Sequence, residues 1–302
     1  MKITIGITSF NRLKYLKCLI SSLEEISKDF AEIIVVDNCS TELGIKEYLS
    51  NKKESGVIDG LHLRNTEDRN WTNDEYIAKN IIIAESKTDI ILFLQDDLQF
   101  ISTPKVLLEV VSSFQQLDAV CCELNAIRNS TIRSKFIEGR DAIINKTRFW
   151  APKDNHFHTM GLFKKQIFNK IGPYPVDWPQ TQEFWGRSED WYDYQIKNKF
   201  PNIQLNVSTW VPLFAPVWND PRGGYAFIRG DKRYGHYLDP VTDFYYEKIS
   251  DNEFYERQTK EMPIGFSEIC RPLGWSYKKD QFGDHIKFAQ SQAIIDGPSS
   301  DF

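Results

Sequence analysis

Asp89–Leu98 reads DIILFLQDDL, and this stretch decides the fold. Ile90, Ile91, Leu92, Phe93 and Leu94 form an apolar run of strand length with no polar alternation. A strand apolar at every position is buried on both faces, as in a parallel sheet covered by helices. The run stops on Gln95, Asp96 and Asp97. Two adjacent carboxylates at the end of a buried strand are costly unless a cation compensates them. In open α/β sheets, ligands bind off the carboxyl ends of the strands. The pair therefore stands where a bound metal or a sugar nucleotide would lie. The plainer reading is a solvated turn that carries two acids.

The segments on either side have the same character. Upstream, Ile3–Thr8 is a β-rich run closed by a turn over Ser9–Arg12. Leu13, Leu16, Ile20 and Leu23 then fall on one helical face. Glu32–Asp37, EIIVVD, reads as a second buried strand ending in the turn cluster Asn38–Thr41. Gly44–Asn51 reads as a short helix and Leu61–Leu63 as a short strand. Thr72 and Glu75 have capping-box spacing and open a helix through Glu85. Downstream, Thr103 and Pro104 supply a cap and a proline at the first helical position. Leu107, Val110, Val111 and Phe114 form that helix's buried face, and Ala119–Leu124 is another strand. The alternation predicts parallel strands joined by right-handed crossovers. No G-x-G-x-x-G follows the first strand and no G-x-x-x-x-G-K-[ST] is present, which argues against dinucleotide and P-loop sites.

After Asn125 the pattern loosens. Ile127–His158 is polar and aromatic, with a weak strand signal at Ala142–Asn145. Gly161–Ile171 reads as strand then helix, stopped by Gly172 and Pro173. A loop rich in Trp and Pro spans Pro175–Gly186. Ser188, Glu189, Asp190 and Trp191 then open a helix through Lys199, with acids in the first turn. Phe214–Gly235 reads as irregular, with Arg222, Arg229, Lys232 and Arg233 among glycines, the composition of a mobile basic lid or of a solvated loop. Ser250 and Glu253 cap a last helix through about Lys260.

A net charge of -5 argues against a nucleic-acid-binding surface. The 5 cysteines are odd in number and lack metal-ligand spacing, so buried free thiols are expected rather than disulfides. Met1 opens directly into a strand, and no apolar run approaches the ~20 residues of a membrane span. The expectation is a cytoplasmic protein, at most peripheral to a membrane.

Taken together, these pieces resemble the family 2 glycosyltransferases, which have the GT-A fold. TSFNR after the first strand is similar to that family's T-x-Y-N-R turn, and VVDNCST to its V-D-D/N-G-S-T turn. AKNIIIAESKTDIILFLQDD tracks the family segment that ends in F-L-D-D-D. KKQIFNKIGPYP and SEDW track its acceptor-side I-G-G-F-D and E-D-W pieces, so the resemblance runs from Ile3 to about Lys199. It implies a GT-A domain over 1–213, with a nucleotide-binding half over 1–125 and an acceptor-side half over 126–213. A C-terminal extension would cover 214–302. It implies Thr8, Phe10 and Arg12 beside the nucleotide base, Asp37 on the base edge, Lys79 in the donor site and Asp96 facing the ribose. Asp97 would bind Mn²⁺ or Mg²⁺ on the diphosphate, as in the D-x-D motif, and Asp190 would be the catalytic base. Trp185, Glu189 and Trp191 would line the acceptor. Gln95 stands where many members have Asp, Lys79 where Arg is frequent, and Cys39 where Gly is usual. His236 or Asp220 would supply a third metal ligand.

The chemistry makes the same demands without the family. Breaking a glycosyl phosphate leaves a nucleoside diphosphate whose charge must be neutralised, and hard divalent cations take one or two carboxylates plus phosphates. An attacking hydroxyl must lose its proton to a base on the opposite face, which gives inversion. The resemblance and this chemistry together set the expectation of an inverting, metal-dependent glycosyltransferase. It would move a sugar from a nucleotide donor, UDP-linked by preference, to a saccharide or lipid-linked saccharide in polysaccharide biosynthesis. The alternative is a catalytically silent nucleotide-sugar or carbohydrate-binding protein on the same fold.

Overall fold

The computed structural model describes residues 2–65, 67, 73–124, 140–151, 160–176, 188–201, 203–217, 244, 246–261 and 263–264. In chain order the strands are β1 (Ile3–Ser9), β2 (Ala31–Asp37), β3 (Gly60–Leu63), β4 (Ile90–Gln95), β5 (Leu98–Phe100) and β6 (Ala119–Glu123). They continue with β7 (Arg140–Ile144), β8 (Thr147–Ala151), β9 (Gly161–Lys164), β10 (Gln204–Thr209) and β11 (Phe214–Pro216). The helices are α1 (Leu13–Leu23), α2 (Ile45–Glu54), α3 (Asp74–Glu85), α4 (Pro104–Gln116), α5 (Gln166–Ile171), α6 (Ser188–Lys199) and α7 (Asp251–Arg257).

Among the described residues one large sheet runs in the order β3-β2-β1-β4-β9-β6-β10-β8-β7. The β3, β2, β1 and β4 run is parallel, and β6 pairs parallel with β10. Strand β9 enters antiparallel between β4 and β6, and β8 and β7 close the far edge antiparallel. The sheet is buried on both faces, as the apolar run of β4 requires. Ile90, Leu92 and Leu94 join Ile3, Ile5 and Ile7 against α1 and α4. Ile91 and Phe93 turn the other way, into a cluster with Tyr76, Ile82, Phe163, Phe168, Tyr174 and Tyr192. Thr103 caps α4 by accepting from the Val106 N–H at 3.3 Å, as its place before Pro104 predicts. The four described cysteines, Cys18, Cys39, Cys121 and Cys122, are free and buried, while Cys270 lies outside the described residues.

The structure corrects the sequence reading at several places. The chain after Asp97 does not go straight into a crossover helix. It enters β5, which pairs antiparallel with β11, Phe214 opposite Phe100. The segment from Phe214 is thus strand at its start, not irregular. Gln99 fixes this ribbon further, donating to the Tyr246 carbonyl at 2.8 Å and accepting from the Tyr246 N–H at 3.0 Å. Strands β8 and β10 were also missed, because short runs such as TRFWA and QLNVST carry charged or amide residues that mask their pattern. Helix α3 begins at Asp74 after Asn73, which makes no side-chain cap bond, and Thr72 lies outside the described residues.

The entry of β9 between β4 and β6 depends on one residue. Gly161 has φ +116°, and a Cβ there would lie 2.3 Å from the Cys122 carbonyl oxygen. That contact is with backbone in the middle of a sheet, where neither strand can give way. Gly161→Ala is expected to cost roughly 2–4 kcal/mol through left-handed strain and overpacking. Urea unfolding checks this, and a midpoint equal to wild type would show that β9 has room to shift.

Candidate active site

The carboxyl ends of β1, β2 and β4 lie side by side, with Ser9 opposite Asp37 and Thr8 opposite Gln95. This register brings the turns after the three strands together, as the sequence predicts for the binding edge of the sheet. Asp96 and Asp97 form the turn between β4 and β5. Its far side is held by the residue that follows β11, since the Val217 N–H donates to the Asp97 carbonyl at 2.9 Å.

Both acids are buried, Asp96 at 3% and Asp97 at 7% exposure, and their compensating cation is Arg12. Arg12 Nη1 lies 3.2 Å from Asp96 Oδ1 and 2.6 Å from Asp97 Oδ2. The Phe10 N–H donates to the other Asp96 oxygen at 2.8 Å. Burial pushes the Asp96 carboxyl up to about 7, against the pull of Arg12, and the Asp97 charge adds to the rise. Burial works against the Arg12 charge too, but the two carboxylates outweigh it and hold the guanidinium firmly protonated. Arg12 sits here because it is the residue immediately before α1, whose first turn closes on its carbonyl. Helix α1 is in turn tied to β5, where Ser22 Oγ accepts from the Phe100 N–H at 3.0 Å.

Asp37 is fully buried and organises the turn that follows it. Its Oδ2 accepts from the Ser40 N–H at 2.9 Å and its Oδ1 accepts from the Ser40 hydroxyl. Burial raises its pKa, and the two Ser40 hydrogen bonds oppose that rise. Cys39, where the resembling family has Gly, takes φ 65° in this turn. Asn11 locks the two turns together, its Oδ1 accepting from Thr41 N at 2.7 Å and Glu42 N at 3.0 Å. The Arg64 side chain donates to Asn38 at 3.0 Å and to Asp74 at 2.8 Å, holding the β2 turn against α3.

Lys79 is buried at 1% exposure and pairs with Glu75 Oε1 at 2.5 Å. Gln95 donates to the same Glu75 oxygen at 3.2 Å. Burial opposes the Glu75 charge, but Lys79 and these hydrogen bonds hold its pKa below the ordinary value. Lys79 thus reaches the acidic turn through Glu75 and Gln95. Glu75, Ser40, Asn11 and Arg64 bond to the candidate residues or their turns, and the sequence reading gave them no site role. The Glu75–Lys79 spacing of i,i+4 was the available signal.

Asp190 lies in the first turn of α6, as its sequence predicts, and Trp191 is half-buried beside it. The helix is anchored one residue later. The Tyr192 ring lies 4.4 Å from that of Tyr174, and its hydroxyl donates to the Gly172 carbonyl. Tyr174 is fastened to α3 by Asn80, its N–H donating to Asn80 Oδ1 and its carbonyl accepting from Asn80 Nδ2, both at 2.8 Å. The side chains of Ser188, Glu189 and Asp190 lie outside the described residues. So do Trp185, Asp220, His236 and the Arg222–Arg233 loop.

Among the described residues no group of three His, Cys, Asp or Glu is placed to hold a metal ion. Two carboxylates do fit one cation. Asp96 Oδ1 and Asp97 Oδ2 already converge on a single nitrogen of Arg12. A hard divalent ion that completes its shell with phosphate oxygens and water needs no more protein ligands than that.

The glycosyl transferase family 2 model matches residues 4–174, more than half of the 302 residues. The chain belongs to that family. Its sheet, with antiparallel β9 set among parallel strands, is the GT-A fold that the sequence led us to expect. Among solved structures, S. aureus TarS 1–349 in complex with UDP superposes with a TM-score of 0.50 at 14% identity, covering 71% of this chain and 60% of that one. The mannosyltransferase PcManGT from Pyrobaculum calidifontis, in complex with GDP-Man and Mn²⁺, gives 0.50 at 16% identity, covering 75% and 59%. A longer S. aureus TarS structure is matched over only 38% of its length. The chain spans less than two thirds of the length of these solved chains. No curated protein matches it. No helix among the described residues is long and apolar enough to cross a membrane.

Proposed function

We propose that this protein is an inverting glycosyltransferase that takes its sugar from a UDP-linked donor with the help of a divalent cation. The observation that carries this reading is the convergence of Asp96 and Asp97 on one cation position at the carboxyl edge of the sheet, beside Asp37. Family membership supplies the reaction class, and the similar structures in complex with UDP and with GDP-Man and Mn²⁺ support a nucleotide-linked donor.

Each residue then has a task. Asp97 would hold Mn²⁺ or Mg²⁺, with Asp96, which the resemblance set toward the ribose, as its second carboxylate, and the ion would as a Lewis acid neutralise the charge that builds on the departing diphosphate. Thr8 and Phe10 flank the base. Asp37 accepts from the N–H of uracil; each of its oxygens already takes one hydrogen bond from Ser40 and keeps a second acceptor site. Reaching it requires the Asn38–Thr41 turn to give, since Asp37 is covered. Asp190 takes the proton of the acceptor hydroxyl as it attacks the anomeric carbon. A saccharide or lipid-linked saccharide is the acceptor class, with Trp191 and Trp185 as stacking surfaces and Glu189 beside them.

The test is calorimetry with UDP and CDP in the presence of Mn²⁺. UDP should bind more tightly, and Asp37→Ala should weaken UDP and erase the preference. Equal affinity of wild type for the two nucleotides would overturn the uridine assignment, while leaving the transferase reading to be judged by transfer from other donors. Turnover of no nucleotide-sugar by a well-folded protein that binds one would favour a silent binding protein.

A further inference from the structure

Asp96 and Asp97, the acids proposed above to hold a divalent ion, are already paired with a cation of the chain itself. Arg12 Nη1 lies 3.2 Å from Asp96 Oδ1 and 2.6 Å from Asp97 Oδ2, so one nitrogen of the chain occupies the space between the two carboxylates. We propose that Arg12 is the resident counter-cation of Asp96 and Asp97, so that a divalent ion enters only together with a diphosphate that takes Arg12 over. This rests on the reading of the two acids as metal ligands.

The physical reasoning concerns what each partner would lose. Without Arg12, two buried carboxylates would face each other uncompensated, which is costly. With it, a divalent ion arriving alone meets a guanidinium bonded to the oxygens it needs. It must expel Arg12 and leave that charge without a partner. A diphosphate changes the balance, because its oxygens match the planar fork of a guanidinium. Two features of Arg12 suit an exchange. Its side chain keeps 13% exposure, so one side is open to the surface. Its Nε is buried and has no hydrogen-bond partner among the described residues, so the present state leaves one donor unused. Its backbone stays fixed, since the Leu16 N–H donates to the Arg12 carbonyl at 2.9 Å and only the side chain has to move.

The exchange predicts a strong, reciprocal coupling between metal and nucleotide. The test is Mn²⁺ binding followed by electron paramagnetic resonance, with and without UDP, in wild type, Arg12→Gln and Arg12→Lys, each checked for folding by circular dichroism. Without UDP, wild type should bind Mn²⁺ weakly and Arg12→Gln about 10- to 100-fold more tightly, the equivalent of one charge-assisted pair. UDP should tighten Mn²⁺ binding greatly in wild type and much less in Arg12→Gln. Arg12→Lys, which keeps a charge without the fork, should fall between them, and it carries the comparison if the glutamine variant does not fold. Equal Mn²⁺ affinity in all three proteins without UDP would overturn the role of Arg12 while leaving the metal site standing. Absence of Mn²⁺ binding in every protein, even with UDP, would overturn the metal site and the counter-cation role with it.

Discussion

Asp97→Ala should give a folded protein that no longer binds a UDP-sugar in a Mn²⁺-dependent way. The fold should survive because Arg12 is not orphaned: Asp96 Oδ1 remains 3.2 Å from its Nη1. The backbone of the turn also keeps its tie, since the Asp97 carbonyl still accepts from Val217 N–H at 2.9 Å. The stability loss should be about 1.5–3 kcal/mol, the scale of one hydrogen bond to a charged group. Binding is another matter. Losing an outer partner of a metal site costs ~10–100-fold in affinity, and losing a ligand should exceed that. With Asp97 gone, Asp96 alone must hold the cation while also accepting from the Phe10 N–H. Calorimetry of the donor with and without Mn²⁺ measures both effects. Unchanged donor affinity in the variant, with the metal dependence intact, would remove Asp97 from the site.

The sheet was legible because its strands repeat one simple signal. Ile90–Leu94 and Ile33–Val36 are apolar at successive positions, and only a strand buried on both faces needs that. The helices were legible from spacing and caps, Thr103 before Pro104 being the clearest case. The short strands were not. β5 has three residues, and what makes them a strand is β11, more than a hundred residues later, together with the side chain of Gln99. No window of sequence contains that pairing. The same holds for the site. The adjacent acids announced themselves, but their partner did not. The resemblance set Arg12 beside a nucleotide base, and the structure bonds it to Asp96 and Asp97, across a chain separation that only the parallel register of β1 and β4 closes. The resemblance assigned Lys79 to the donor site, and the structure pairs it with Glu75, to which Gln95 also donates.

Asp190→Asn should slow sugar transfer by on the order of 10²–10⁴-fold while leaving donor binding intact. The substitution keeps size and most hydrogen bonding but removes the ability to take a proton. Donor binding should survive because Asp96, Asp97 and Asp37 stand on other elements, at the ends of β4 and β2. The helix that carries Asp190 should not move either. It is held through Tyr192, fully buried against Tyr174 and Phe168, and Tyr174 is fastened to α3 by both polar atoms of the Asn80 amide. A rate defect in this variant would therefore report lost chemistry, not a displaced helix. Rates are read at saturating donor and acceptor, with nuclear magnetic resonance of the product to establish inversion at the anomeric carbon. This outcome separates Asp190 from Asp97, whose loss should damage binding itself. Transfer at the wild-type rate with both substrates bound would reduce Asp190 to an acid that favours the α6 N-terminus through the helix dipole. The proton would then have to pass to Glu189 or to a carboxylate from a later part of the chain.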